Sequence, residues 1–456
     1  MSMRNSGNKE ELLKSGPIFK TMLVMGIPTF VAQFINLMYN IVDRVYIGHI
    51  SDCGAQALTG VGVCFPIITF ISAFTSLIGM GGAPLAGIAL GAGNREKAEK
   101  ILGNSFSALI LVSVVLTIVF QLIKKPFLYM FGASDATYLY AGPYLSIYLV
   151  GTIFVMISMG LNTYITTQGA ATTAMFSIII GAAVNMILDP IFIFALDMGV
   201  KGAAYATVIS QAISAIWVLH FLTGKKATLR IKRENLGLDI HILMSICALG
   251  ISPFIMGATE SLISVVFNSG AQKYGGDLYV GSITILQSVM QMISVPMNGF
   301  ASGVQPIISY NYGAKNMERV KKSSLTLIGI TFMSSCVLTL ICMTIPGKIA
   351  GLFTTDVKLI DICSSVLPIF MAGMLVFGLQ SGCQNSFLSL GKAKQSLFFA
   401  LLRKVILLTP LALILPGITN SVMGLYYAEP ISDVISAICC VIVFMITLKR
   451  EIILKE

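Results

Sequence analysis

The chain has 456 residues, of which 56% are apolar and only 11% charged, and its mean hydropathy is +0.86. A soluble globular domain carries about 25% charged residues, so this balance excludes an ordinary soluble enzyme or binding module and indicates a chain that crosses a membrane many times. The formal net charge of +10 would suit nucleic acid, but its distribution along the chain assigns it to membrane topology.

In chain order, the N-terminal stretch is polar and basic and no small-residue cleavage site follows an apolar core, so the first apolar segment is read as a retained span rather than a signal peptide. Twelve stretches then meet the requirement of ~20 mostly apolar residues per spanning helix. They centre near residues 31, 68, 111, 150, 182, 211, 256, 293, 332, 370, 405 and 435. Barrel strands are ~10 residues long with alternating polarity, and these long unbroken runs rule them out. With both termini inside, 21 of the 30 Lys and Arg residues fall in inside loops and 7 outside, leaving Arg403 and Lys404 unassigned. The positive-inside rule then places both termini in the cytoplasm. The nine cysteines show no CxxC or Cys/His spacing, so neither a disulfide framework nor a zinc site is expected.

The chain is written twice. "LGAGNREKAEK" (Leu90 to Lys100) resembles "YGAKNMERVKK" (Tyr312 to Lys322) at an offset of 222 residues. The same offset aligns "VKGAAYATVISQAISAI" (Val200 to Ile216) with "VMGLYYAEPISDVISAI" (Val422 to Ile438), with ten of seventeen positions identical. It also pairs Pro84 with Pro306 and Gly169 with Gly391. Six spans per repeat is an even number, so both halves cross the membrane in the same sense, related by an axis along the membrane normal. The expected fold is an all-α polytopic membrane protein of twelve transmembrane helices in two six-helix lobes. Residues 1–222 form the first lobe and 242–456 the second, with the polar stretch 223–241 as a cytoplasmic linker. Two such bundles around a cleft suit alternating access. A channel would show rings of charge or carbonyls at a filter, and no such motif is present.

Acidic residues expected at membrane depth are Asp43, Asp189 and Glu260. At ~1.5 Å of rise per residue, Asp43, Asp189 and Thr207 reach similar depth in the outer half of the first lobe. Asn185, one turn before Asp189, shares its face. These four form a polar nest. Pro190 has no N–H and releases the carbonyl of Met186 beside them. Pro28, Pro190 and Pro253 are the candidate hinges. Two bland readings compete: Asp189 as an N-cap ahead of Pro190, and Asp43 as an interfacial partner of Arg44.

Residues Gly26 to Gly48 ("GIPTFVAQFINLMYNIVDRVYIG"), Ala55 to Ile67 ("AQALTGVGVCFPI") and Asn185 to Phe194 ("NMILDPIFIF") resemble the multidrug and toxic-compound extrusion (MATE) family over nearly the whole chain. The resemblance implies a monomeric exporter of bulky, often cationic drugs and dyes in a bacterial cytoplasmic membrane, with lipids around it. It also implies drive by a proton or sodium gradient, with no cofactor. The matching Asp, Asn, Asp and Thr of relatives hold the coupling H⁺ or Na⁺, which here would be Asp43, Asn185, Asp189 and Thr207. The absence of a P-loop agrees with ion coupling. Sodium-coupled relatives pair a Glu near position 260 with an Asp on the tenth helix. The tenth span here (Ser364 to Gly382) has no acid, so that second-lobe ion site looks incomplete, and Glu260 is left to attract cationic drugs, take part in protonation, or bond to a neighbouring hydroxyl or amide.

For the drug pocket, Gln33, Asn36, Tyr39 and Asn40 on the first span and Gln287, Met290 and Gln291 on the eighth are the expected contacts. Methionine suits adaptable surfaces, and lipid-facing amides would be costly. The alternative activity is a flippase for a lipid-linked substrate of the same wider superfamily. An anionic headgroup would call for Arg or Lys inside the cleft, where only Arg403 and Lys404 approach. No nucleic-acid partner and no catalytic constellation is expected.

Overall fold

The protein is described by a computed structural model covering residues 11–48, 50, 54–131, 133–353 and 357–455. Twelve helices are long and apolar enough to cross a membrane, and no strand occurs among the described residues. In the first lobe they are α1 (Ile18–Gly48), α2 (Gly54–Gly91), α3 (Arg95–Met130), α4 (Asp135–Thr167), α5 (Ala171–Pro190) and α6 (Gly199–Thr223). The second lobe holds α7 (Ile240–Tyr274), α8 (Asp277–Gly313), α9 (Met317–Thr344), α10 (Val357–Ser389), α11 (Ala393–Thr419) and α12 (Met423–Lys455). Each sequence-derived span centre falls inside the corresponding helix.

The repeated turn between the second and third helix of each lobe explains the "GA-x-N" element. Gly93 and its repeat-mate Lys315 both adopt left-handed backbone angles, φ +78° and +58°, where glycine is at ease and lysine is strained. The Asn that follows then caps the next helix. Asn94 accepts from the Lys97 N–H at 3.0 Å and Asn316 from the Arg319 N–H at 3.1 Å, satisfying donors a helix start leaves open.

The lobes meet along two seams that mirror each other. α2 packs on α7, and its repeat-mate α8 packs on α1. Small residues set the approach: a Cβ on Gly250 would stand 1.8 Å from the Leu77 carbonyl oxygen, and one on Gly303 2.5 Å from that of Met25. Nearer the termini α2 and α8 cross each other, with Gly91 against the Tyr310 carbonyl and Gly313 against the Ile88 carbonyl. The hydrophobic core follows the same geometry. One buried cluster runs the length of the first lobe, from Ile47 and Leu128 to Leu90, and crosses into the second lobe at the terminus end through Leu13, Ile308, Phe387 and Phe444. The other half of the second lobe has a separate core around Phe267, Phe370 and Tyr426.

Two segments tie this end together. The connector lies on the first lobe: Gln168 accepts from the N–H groups of Thr228 and Leu229, Ser107 donates to the Leu236 carbonyl, and Lys232 pairs with buried Glu99 at 2.6 Å. The segment before α1 lies on the second lobe, where Asn311 and Arg319 donate to the Leu13 carbonyl at 2.9 and 3.1 Å. Each lobe's leading segment is thus held by the opposite lobe.

Because ordinary contact begins near 3.4 Å, Gly250→Val should hold α7 away from α2 by at least about 1.6 Å at this point. Spin-label distances across the lobes at the terminus end should lengthen accordingly; an unchanged distance distribution would contradict the seam.

Candidate functional site

A cavity of about 240 Å³ opens in the first lobe against α8. Its wall is neutral and polar: Gln33, Asn36 and Tyr39 from α1, Ser72 and Ser76 from α2, Asn162 and Thr163 from α4, Ser177 from α5, Gln211 and Ser214 from α6, and Ser302 and Gln305 from α8. Met80, Met159 and Met175 supply the soft apolar part, and no Asp, Glu, Lys or Arg among the described residues lines it. Gly181 keeps the α5 side of the wall open, since a Cβ there would stand 2.3 Å from the Ser214 hydroxyl.

Asp189 lies at the end of α5, fully buried, and Asn185 donates to its Oδ1 from one turn earlier at 3.2 Å. The Asp43 carboxyl of α1 stands within hydrogen-bonding reach of Asp189, while Asp189 Oδ2 has no donor. Two facing acid oxygens cannot bond to each other unless a proton or cation lies between them. The N-cap reading of Asp189 is excluded: α5 runs through it to Pro190 and continues as a π-turn over Ile191–Ala195. The proline's missing N–H accounts for that widening. Gly202 lets α6 pack onto the π-turn, a Cβ there meeting the Phe192 carbonyl at 2.7 Å. Thr207 is buried on α6, the helix beside α5, but makes no hydrogen bond to Asp189. α1 and α7 pass through Pro28 and Pro253 as continuous helices. At Pro28 the Thr29 hydroxyl donates to the Met25 and Gly26 carbonyls at 3.2 and 2.9 Å.

The second lobe corrects the expectation of three deep acids. Glu429 and Asp433 on α12 are 2% and 0% exposed. Arg403 of α11 reaches both, with Nε on Asp433 Oδ1 at 2.6 Å and Nη2 on Glu429 Oε1 at 3.2 Å. Lys404 pairs with Glu260 at 3.0 Å. The two α12 acids are not among the expected deep acids because their cationic partners lie on another helix. The available signal was their i, i+4 spacing within an apolar run, opposite adjacent Arg403 and Lys404, since intramembrane charges come in pairs.

Of the residues expected to contact drugs, Gln33, Asn36 and Tyr39 line the cavity, while the side chain of Asn40 lies outside the described residues. Gln287, Met290 and Gln291 do not line it. Met290 packs on the second-lobe core and Gln291 is exposed. α8 contributes from further along, through Gly299, Ser302 and Gln305.

A family model described as MatE matches residues 28–191 and 253–414. The chain is 26% identical to the multidrug export protein MepA of Staphylococcus haemolyticus over 424 residues, covering 91% of each chain. It is 25% identical to MepA of Staphylococcus aureus strain NCTC 8325 over 428 residues, 91% of this chain and 92% of that one. Its fold matches a solved structure described as the outward-facing conformation of a multidrug resistance MATE family transporter of the MOP superfamily, with a TM-score of 0.90 at 23% identity over 97% and 98% of the two chains. A MATE structure in the bent conformation matches with a TM-score of 0.91 at 23% identity over 98% and 99%.

Removing the guanidinium that serves two buried acids leaves them uncompensated. Arg403→Met should therefore destabilise the protein by ~3–5 kcal/mol, whereas replacing Arg403, Glu429 and Asp433 together with apolar residues should recover most of that loss. Thermal melts in detergent measure both; a neutral single substitution would contradict the geometry.

Proposed function

The chain belongs to the MatE family of membrane transporters, and we propose that within it this protein is a multidrug efflux antiporter driven by a proton or sodium gradient. The observation that carries the proposal is the half-buried Asp43 facing the buried Asn185–Asp189 pair, with a hydroxyl- and amide-lined cavity in the same lobe. A carboxyl pair inside a membrane protein is costly without a compensating charge, so it binds H⁺ or Na⁺ from solution. Asp43 on α1 and Asp189 on α5 are drawn together when the ion is held and separate when it leaves. Because α1 also supplies Gln33, Asn36 and Tyr39 to the cavity, ion binding reshapes the wall that meets the drug. Pro28 weakens α1 within its seam with α8, several turns before the acid, and is the hinge for that movement. Thr207 completes the group in the ion-bound state.

The cavity suits bulky, mainly apolar cargo held by a few amides, hydroxyls and methionines, and the relatives at 25–26% identity are named multidrug export proteins. No basic side chain among the described residues lines the cavity, which favours neutral or cationic drugs and dyes over the anionic headgroups a lipid flippase would take. The bias of basic residues towards the terminus end assigns that end to the cytoplasm. The glycine seams hold the lobes together at the same end, which supports reading this arrangement as a stage closed to the cytoplasm. The protein works as a monomer, since one chain supplies the cavity and the ion site.

Asp189→Asn at normal protein levels should reduce ethidium efflux from cells to that of cells lacking the protein. Wild-type efflux in this variant would sink the assignment.

A further inference from the structure

We propose that the second lobe binds a proton of its own, shared by the carboxyls of Glu429 and Asp433 and separate from the ion held in the first lobe. The argument begins with a charge count. α12 contributes Glu429 and Asp433, α11 contributes Arg403 and Lys404, and α7 contributes Glu260. The adjoining part of α10 presents Gly373 against Asp433 and the Phe377 ring against the guanidinium, 4.4 Å from its centroid, and no charged side chain of α10 pairs with the triad among the described residues. Lys404 is matched by Glu260. One guanidinium is left for two carboxylates, so the triad carries one negative charge too many when all its members are ionised.

The hydrogen bonds point the same way. Asp433 Oδ1 takes the Arg403 Nε, but Asp433 Oδ2 is buried with no partner, as is the Ser436 hydroxyl one turn on. A buried bare carboxylate oxygen is rarely left unserved; a carboxyl bearing a proton in this pair removes the surplus charge. Proton binding here is simple addition of H⁺ to one carboxylate oxygen, with no bond broken.

The repeat separates this role from scaffolding. Gly181, Ala182, Thr207 and Gln211 occupy in the first lobe the places of Arg403, Lys404, Glu429 and Asp433. The first lobe thus makes the same crossing of its fifth and sixth helices without a charge, and its Gly181, Ala182 and Gln211 line the cavity. The charges are therefore not needed to join α11 to α12. α11 also widens into a π-turn over Leu402–Leu408, which carries both cations, and the Thr409 hydroxyl caps the Lys404 carbonyl at 2.8 Å. π-turns inside α-helices occur frequently at functional sites. Lys404 lies within Coulombic reach of Glu429, and the Glu260 side chain it holds is 42% exposed. Loss of the proton strengthens the pull of the triad on Lys404 and weakens its hold on Glu260.

The test is infrared difference spectroscopy of the full-length protein in nanodiscs, stepping from neutral to alkaline pH and reading the C=O stretch of protonated carboxyl groups. In the Asp43→Asn/Asp189→Asn background one such group should remain at neutral pH and vanish on the step. Glu429→Gln turns the triad into a neutral Arg–Asp pair and should abolish the band, as should Asp433→Asn. In the otherwise native chain, Glu429→Gln should remove one protonated carboxyl. The proposal is overturned if the background variant shows no protonated carboxyl, or if the band survives both substitutions. Neither result bears on drug transport, so this site and the first-lobe assignment stand or fall separately.

Discussion

A carboxylate buried inside a membrane protein needs a positive charge beside it, and the two lobes meet that need in different ways. Asp189 has an amide on one side and another carboxyl on the other, with no basic partner among the described residues. Its compensation has to arrive from solution, which makes it suited to coupling. Glu260, Glu429 and Asp433 face Arg403 and Lys404 from within the chain, three acids against two cations. Gene duplication gave both lobes one scaffold, and charge placement then made them unlike: the first lobe keeps space where the second keeps ion pairs.

The backbone arrangement that makes this useful is the glycine seam. Gly81 and Gly303 are repeat-mates, as are Gly91 and Gly313, and each pair brings backbone onto backbone across the lobe boundary. The Thr29 hydroxyl sits against Gly303 and the Phe300 ring against Gly26, so side chains fill the places that the glycines leave open. The leading segments reinforce the seam, since Leu13 is buried on the opposite lobe and the connector is pinned through Gln168 and Glu99. Opening the terminus end must free Leu13 from Asn311 and Arg319, while the connector can travel with the first lobe.

Much of this was legible in the sequence, for identifiable reasons. Apolar runs of spanning length located all twelve helices, because a bilayer leaves the chain little choice of backbone. The fixed offset exposed the duplication, and the structure supplies its physical content in the left-handed turn at Gly93 and Lys315 and the caps at Asn94 and Asn316. Asn185 and Asp189 were readable as partners because helical spacing puts residues four apart on one face. The α12 acids escaped notice because their partners lie on another helix, and pairing between helices is a tertiary fact. The cavity contacts on α8 were displaced for a similar reason: Gln287 and Gln291 are polar and one turn apart, but the rotation of α8 against α1 presents Ser302 and Gln305 instead. That rotation follows from Gly299 and Gly303 meeting α1, which composition does not reveal.

The most direct measurement is dye transport by the purified protein in liposomes without ATP, with a proton gradient and a sodium gradient imposed separately. The account predicts concentrative transport under at least one gradient, none when both are collapsed, and none for Asp189→Asn under either. Concentrative transport with both gradients absent, or unchanged transport in Asp189→Asn, would contradict it.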